Sequence, residues 1–171
     1  TVAVDTAEGE KLFKANRIFI NTGATPFVPP VEGLTIGGAI HTSETIMNLE
    51  EYPESLVIIG SGFIGLEFAA TYAQFGTKVT VIDVTEAFLP REDEDVAQAV
   101  KEQLEALGVT FNLGVQLKAV HQEGGKAVVE ATTGEGAPVA FTADAVLVAT
   151  GRRANVQGLD LDKAGVELTE R

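Results

Sequence analysis

The chain has 171 residues, of which 45% are hydrophobic and 22% charged, a balance that suits a globular protein of one domain or one and a half and excludes a disordered one. Its net charge of −13 excludes a nucleic-acid backbone as partner, and no stretch approaches the roughly 18 apolar residues of a membrane span. Without cysteine, and with only His41 and His121 far apart, a disulfide, a thiol redox pair or a metal centre within this stretch is excluded or unfavoured, and without a secretory leader pattern the expected location is the cytoplasm.

Val2/Val4 and Leu12/Phe13 alternate on either side of Glu8-Gly-Glu10 and predict a small antiparallel hairpin. Arg17-Ile-Phe-Ile20 predicts a further strand running into Asn21-Thr-Gly-Ala-Thr-Pro26, and the Pro- and Gly-rich run from Phe27 to Gly38 reads as a linker toward a new folding unit. His41 is expected in a loop, with Ser43 capping a short helix from Glu44 to Leu49.

Leu56-Val-Ile-Ile59 reads as a buried strand, Gly60, Gly62 and Gly65 form G-x-G-x-x-G, and Leu66 to Phe75 continue as a helix stopped by Gly76. In such a turn the first glycine permits the bend, the second lets backbone approach a pyrophosphate, and the third lets the helix pack closely on the strand. The start of that helix, with its free N–H groups and positive dipole end, favours an anion. Lys78-Val-Thr-Val-Ile82 is the next strand, and Asp83 ends it, eighteen residues after Gly65, where a carboxylate can accept from adenosine ribose hydroxyls.

Arg91-Glu-Asp-Glu-Asp95 reads as the acidic first turn of a helix whose apolar face is Val96, Val100, Leu104 and Leu107, stopped by Gly108. Val109-Thr-Phe111 would be a third parallel strand. From Val115 to about Phe141, short strands broken at Glu123-Gly-Gly125 and Gly134-Glu-Gly136 predict an antiparallel meander, with His121 at an exposed strand end. Ala145-Val-Leu-Val-Ala149 returns as a buried strand into Thr150-Gly-Arg-Arg-Ala-Asn155, where Arg152 and Arg153 are either phosphate ligands or a solvated pair. The whole predicts an α/β fold, Rossmann-like, with a mainly parallel sheet and an antiparallel β-meander. Ile18-Phe-Ile-Asn-Thr-Gly23 and Val146-Leu-Val-Ala-Thr-Gly151 echo each other as apolar strands ending in Thr-Gly, a pair suited to close approach of a ligand.

Three elements in order, Asn21 to Pro26, Gly60-Ser-Gly-Phe-Ile-Gly-Leu-Glu67 and Val148 to Asn155, resemble the middle of the pyridine nucleotide-disulfide oxidoreductases, and within Ile18 to Glu67 the dihydrolipoyl dehydrogenase-like and mercuric reductase-like branches. The resemblance implies an FAD/NAD(P)-binding domain type, with an NAD-binding domain at 28–151 inserted between flavin-domain flanks at 1–27 and 152–171. It implies that NADH delivers a hydride to FAD in a parent homodimer, and that electrons pass on through a cysteine pair to a disulfide or small-molecule substrate. By position it makes Gly60, Ser61, Gly62, Phe63, Ile64 and Gly65 the pyrophosphate turn, Phe63 also an aromatic gate over the flavin, and Glu67 a contact at the nicotinamide end. It places Leu117 beside the adenine, Gly151 near the nicotinamide, and Thr22 and Gly23 on the FAD side. The residues themselves leave open a core role for Phe63 and Leu117 and a dipole-complementing role for Glu67.

The family's N-terminal flavin motif, cysteine pair, Gly-Asp flavin segment and C-terminal dimerisation domain with its catalytic His have no counterpart here, so no catalytic residue carries over. The expectation is an excised middle segment, inactive by itself, with Asp83 and Val84-Thr-Glu86 favouring NADH over NADPH. The alternative from a different class is a non-catalytic dinucleotide-sensing or protein-interaction module.

Overall fold

The computed structural model describes residues 1–169, which form two compact units, one of residues 25–153 and the other of 1–24 with the chain from Ala154 onward. The last two residues of the predicted flank 152–171 lie outside the described residues. In the smaller unit β1 (Val2–Thr6) and β2 (Gly9–Phe13) form the predicted antiparallel hairpin, closed between Thr6 and Gly9. The predicted strand Arg17–Ile20 does not form. No strand among the described residues pairs with it, and Ile18, Phe19 and Ile20 are 47%, 87% and 46% exposed. The Thr-Gly echo therefore holds as a strand end only in its second copy. β3 (Ala24–Pro26) pairs with β12 (Arg152–Ala154) in a two-stranded ladder.

The larger unit is built on β4 (Ile40–Thr42), β5 (Ser55–Ile59), β6 (Lys78–Asp83), β7 (Thr110–Leu113) and β11 (Ala145–Val148), all parallel in the order β4-β11-β5-β6-β7. These strands read as continuous apolar runs because both faces are covered. On one face Val57, Ile59, Ile82, Val146 and Val148 pack against Val120, Ala127, Val129 and Ala131 of an antiparallel meander. That meander is β8 (Gln116–Glu123), β9 (Lys126–Thr132) and β10 (Pro138–Ala143). On the other face Leu56, Ile58, Val79, Val81 and Leu147 meet Leu66, Ala69 and Tyr72 of α1 (Phe63–Gln74) and Leu104 of α2 (Glu94–Ala106). The period-two alternation of each strand thus feeds two different layers, meander and helices.

Three local expectations change. α1 begins at Phe63, three residues before the predicted start at Leu66, so the glycine motif runs into the helix. The predicted helix 44–49 is a single 3₁₀ turn, Ile46–Asn48, with Thr45 rather than Ser43 at its start; the Thr45 hydroxyl instead accepts the Thr42 N–H at 2.9 Å. His41 lies in β4, 8% exposed, because the sheet needs an edge strand beside β11 and Ile40–Thr42 supplies it. Of the predicted apolar face of α2, Leu104 is buried, while Val96 and Leu107 are 48% and 43% exposed and line an open groove.

Candidate functional site

The site is assembled at the carboxyl end of β5, where the chain leaves the sheet, turns and starts α1. Gly60 has φ +112° and its N–H donates to the Ile82 carbonyl at 2.8 Å, binding the turn to β6. A Cβ there would lie 2.5 Å from the Ala149 carbonyl oxygen, because the end of β11 crowds the bend. A Cβ on Gly65 would collide with the Gly60 carbonyl oxygen and meet Ile58 Cγ2 at 3.3 Å, so this glycine lets α1 sit down on the turn. Gly62 differs from both. Its φ is −75°, and a Cβ there would meet nothing within 4 Å. The first and third glycines are thus explained by internal packing, whereas the middle one leaves its backbone facing open space at the first residue before the helix.

The first helical hydrogen bond of this end runs from Leu66 N–H to the Gly62 carbonyl at 3.0 Å. The Phe63, Ile64 and Gly65 amides precede it and belong to the group of donors that a helix cannot satisfy within itself. Together with the helix dipole they make this end electropositive in a chain of net charge −13.

Asp83 ends β6 beside the turn. Its Oδ2 accepts the Ser61 N–H at 2.6 Å and the Ser61 hydroxyl at 2.7 Å, while Oδ1 accepts the Thr85 N–H at 2.8 Å. Burial pushes the Asp83 carboxyl up, and the hydrogen bonds from Ser61 and Thr85 outweigh it, holding the group below the usual aspartate range. The carboxylate is thus fixed and ionised at the mouth of the turn. The sequence marks Ser61 and Asp83 as site residues but does not show that they bond to each other. A hydroxyl residue between two motif glycines and a short acid ending the next strand were the available signals.

Phe63, 64% exposed, and Glu67, also exposed, stand on the same side of α1 and help line an apolar groove of about 550 Å³ with Leu66, Leu89, Val96 and Leu107. Spacing in the sequence marks the apolar face of α2 but not the groove that this face helps to line. Leu117 lies at the start of β8, partly buried against the core between sheet and meander. Gly151 follows β11, and its carbonyl accepts the Phe27 N–H at 2.9 Å; the Thr150 hydroxyl donates to the Phe27 carbonyl at 2.8 Å. Arg152 pairs with Glu44 at 3.4 Å, and the Arg153 guanidinium sits 4.0 Å from the Phe27 ring centroid, so both arginines engage protein groups. In the smaller unit the Thr22 hydroxyl donates to the Asn155 carbonyl at 2.6 Å, and the Gly23 carbonyl accepts the Asn155 N–H at 2.9 Å. The structure therefore brings together Gly60, Ser61, Gly62, Gly65 and Asp83 at one turn, with Phe63, Ile64 and Glu67 following on the helix. Among the described residues no group of three or more His, Asp or Glu side chains could hold a metal ion, and no helix is long and apolar enough to cross a membrane.

Comparison with known proteins places this geometry in a family. The chain is 36% identical over 171 residues to the probable pyridine nucleotide-disulfide oxidoreductase RclA of Escherichia coli, covering 100% of this chain and 38% of that protein. It is 34% identical over 168 residues to the dihydrolipoyl dehydrogenase of Bacillus subtilis, covering 98% of this chain and 36% of that one. Among solved structures, the Cu(II) complex of the HOCl-induced flavoprotein disulfide reductase RclA from E. coli superposes with a TM-score of 0.88 at 34% identity, over 98% of this chain and 37% of that chain. LpdA from Mycobacterium tuberculosis superposes with a TM-score of 0.85 at 28% identity, over 98% of this chain and 36% of its own. The chain thus spans a little over a third of the length of these relatives. The family model for pyridine nucleotide-disulphide oxidoreductases matches residues 1–171, and the chain belongs to that family.

Proposed function

We propose that this chain is the nicotinamide-dinucleotide-binding portion of an FAD-dependent disulfide-type oxidoreductase and that its turn holds NADH. The observation that carries the reading is the contrast among the three motif glycines. Two are filled in by protein, and Gly62 alone opens outward at the helix start beside the ionised Asp83. These residues fit a dinucleotide: backbone amides from Gly62 to Gly65 for the pyrophosphate, and the Asp83 carboxylate for the adenosine ribose.

Bound there, NADH is the hydride source for a flavin. The chain's own part is to hold and orient it. Phe63 and Glu67, projecting from the first turn of α1, are assigned to the nicotinamide end, Gly151 to the same end, and Leu117 to the adenine. Thr22 and Gly23 are assigned to the FAD side, so that 28–151 is the NAD-binding domain and 1–27 and 152–171 belong to the flavin-binding part of a homodimeric parent enzyme. Asp83 repels a 2′-phosphate and accepts from a 2′-hydroxyl, and Val84-Thr-Glu86 adds no cation, so NADH is preferred to NADPH.

The test is a calorimetric titration of this chain with NADH. Without a flavin to stack on, the expected dissociation constant is weak, about 1 μM to 1 mM. No heat of binding at millimolar NADH, in a chain shown to be folded, would overturn the assignment.

A further inference from the structure

Ser61 is 5% exposed, between the first two glycines of the turn, and both of its donors go to one oxygen of one residue. An amide alone would tether the Asp83 carboxylate while leaving it able to swing about that contact. The second donor from the same residue, with Thr85 N–H on the other oxygen, fixes the plane of the carboxylate as well as its position. A carboxylate offers about four acceptor directions. Oδ2 carries the two bonds from Ser61 and Oδ1 accepts the Thr85 N–H, so the acceptor direction left for an incoming hydroxyl lies on Oδ1 rather than on Oδ2.

We infer that Ser61 is a positioning residue for dinucleotide choice, acting through Asp83 rather than on the pyrophosphate, by clasping Oδ2 so that Oδ1 is presented to the ribose as a fixed, charged acceptor. This rests on the reading of the turn as an NADH site. It departs from the expectation that Ser61 touches the cofactor directly. With its hydroxyl and amide both engaged, Ser61 has no donor left for a phosphate oxygen unless the clasp is broken. The two roles differ in what they do to the two dinucleotides. A phosphate contact strengthens NADH and NADPH alike, because both carry the same pyrophosphate. A clasp on Asp83 strengthens only the ligand whose ribose can donate to a carboxylate.

The test is a double-mutant cycle on this chain, with NADH and NADPH dissociation constants for the unsubstituted protein, Ser61→Ala, Asp83→Asn and the double variant, together with an NMR titration of the Asp83 carboxyl. Because the Ser61 hydroxyl reaches the ligand only through Asp83, its loss should cost no more than an ordinary hydrogen bond, so Ser61→Ala weakens NADH about three- to tenfold, leaves NADPH within about twofold, and moves the Asp83 titration toward the usual aspartate range. In the Asp83→Asn background, Ser61→Ala should change NADH affinity no further. Equal weakening of both dinucleotides, an additive double variant, or an unmoved Asp83 titration would each overturn the clasp. NADH binding that Ser61→Ala leaves intact would overturn it while sparing the reading of the site. An unsubstituted chain that binds no dinucleotide would overturn both.

Discussion

Replacing each motif glycine by alanine should separate folding from binding, because the three positions meet different surroundings. At Gly60 an alanine must adopt φ +112° and place its methyl 2.5 Å from the Ala149 carbonyl oxygen. Backbone strain of about 1–3 kcal/mol and a clash of similar size make this the most damaging change. At Gly65 the added methyl collides with the Gly60 carbonyl. Overpacking of about 1–3 kcal/mol is offset by the roughly 1 kcal/mol by which alanine outperforms glycine in a helix, leaving a net loss of up to about 2 kcal/mol. For a chain of this size that lowers the melting temperature by up to about 8 °C. At Gly62, with φ −75° and no neighbour within 4 Å, alanine should cost no more than about 1 kcal/mol, the preference of a helix N-cap for glycine over alanine. The same substitution puts a methyl where the pyrophosphate must approach backbone, and should weaken NADH about tenfold, equivalent to about 1.4 kcal/mol. Urea and thermal unfolding read the first quantity and NADH titration the second. Gly62→Ala proving as destabilising as Gly60→Ala, or binding NADH as well as the unsubstituted chain, would refute the reasoning.

Other expectations follow from the same geometry. Asp83→Ser with Val84→Arg should move preference toward NADPH by removing the repelling carboxylate and supplying a cation for the 2′-phosphate; a double variant that still favours NADH in competition titration would contradict the role of Asp83. Because the folded Asp83 carboxyl titrates below its ordinary value of about 3.9, its contribution to stability is complete above that value and is lost as pH falls through the lower folded one. Urea midpoints between pH 5 and 2.5 should therefore fall less steeply in Asp83→Asn. Burial lowers the pKa of His41, so the unfolded chain takes up this proton first on acidification. Stability should decline as pH drops below about 6.5, and His41→Gln should remove that part of the slope. Phe63, 64% exposed, should be replaceable by alanine with a change in melting temperature of no more than about 2 °C.

What was legible in the sequence is what local pattern and local chemistry determine together. The apolar run Leu56–Ile59, three glycines at fixed spacing and an acid ending the next apolar run could satisfy few arrangements other than strand, turn, helix, strand, and the structure has them. The meander was legible for the same reason, since Glu123-Gly-Gly125 and Gly134-Glu-Gly136 interrupt short alternating runs. Arg17–Ile20 shows where this stops. Its residues suit a strand, but a strand requires a neighbour to bond with, and whether one is present is not a local property. His41 fails in the opposite direction, since a polar residue ahead of Thr-Ser-Glu reads as a loop until the sheet recruits Ile40–Thr42 as its edge. The helix α2 shows a third limit: spacing identified its apolar face, but the distance between two helices decides whether Val96 and Leu107 are core or the wall of a groove. The Ser61–Asp83 clasp depends on two residues separated by a helix and a strand, and only the folded turn brings them to 2.6 Å.

A residue-resolved amide NMR titration of this chain with NADH tests directly whether the turn before α1 holds the dinucleotide. Saturable shifts are expected at Gly62, Phe63, Ile64 and Gly65, and at Asp83 and Thr85, with the hairpin of Val2–Thr6 and Gly9–Phe13 unmoved. Shifts centred away from the turn, or none at millimolar NADH, would contradict this role of the turn.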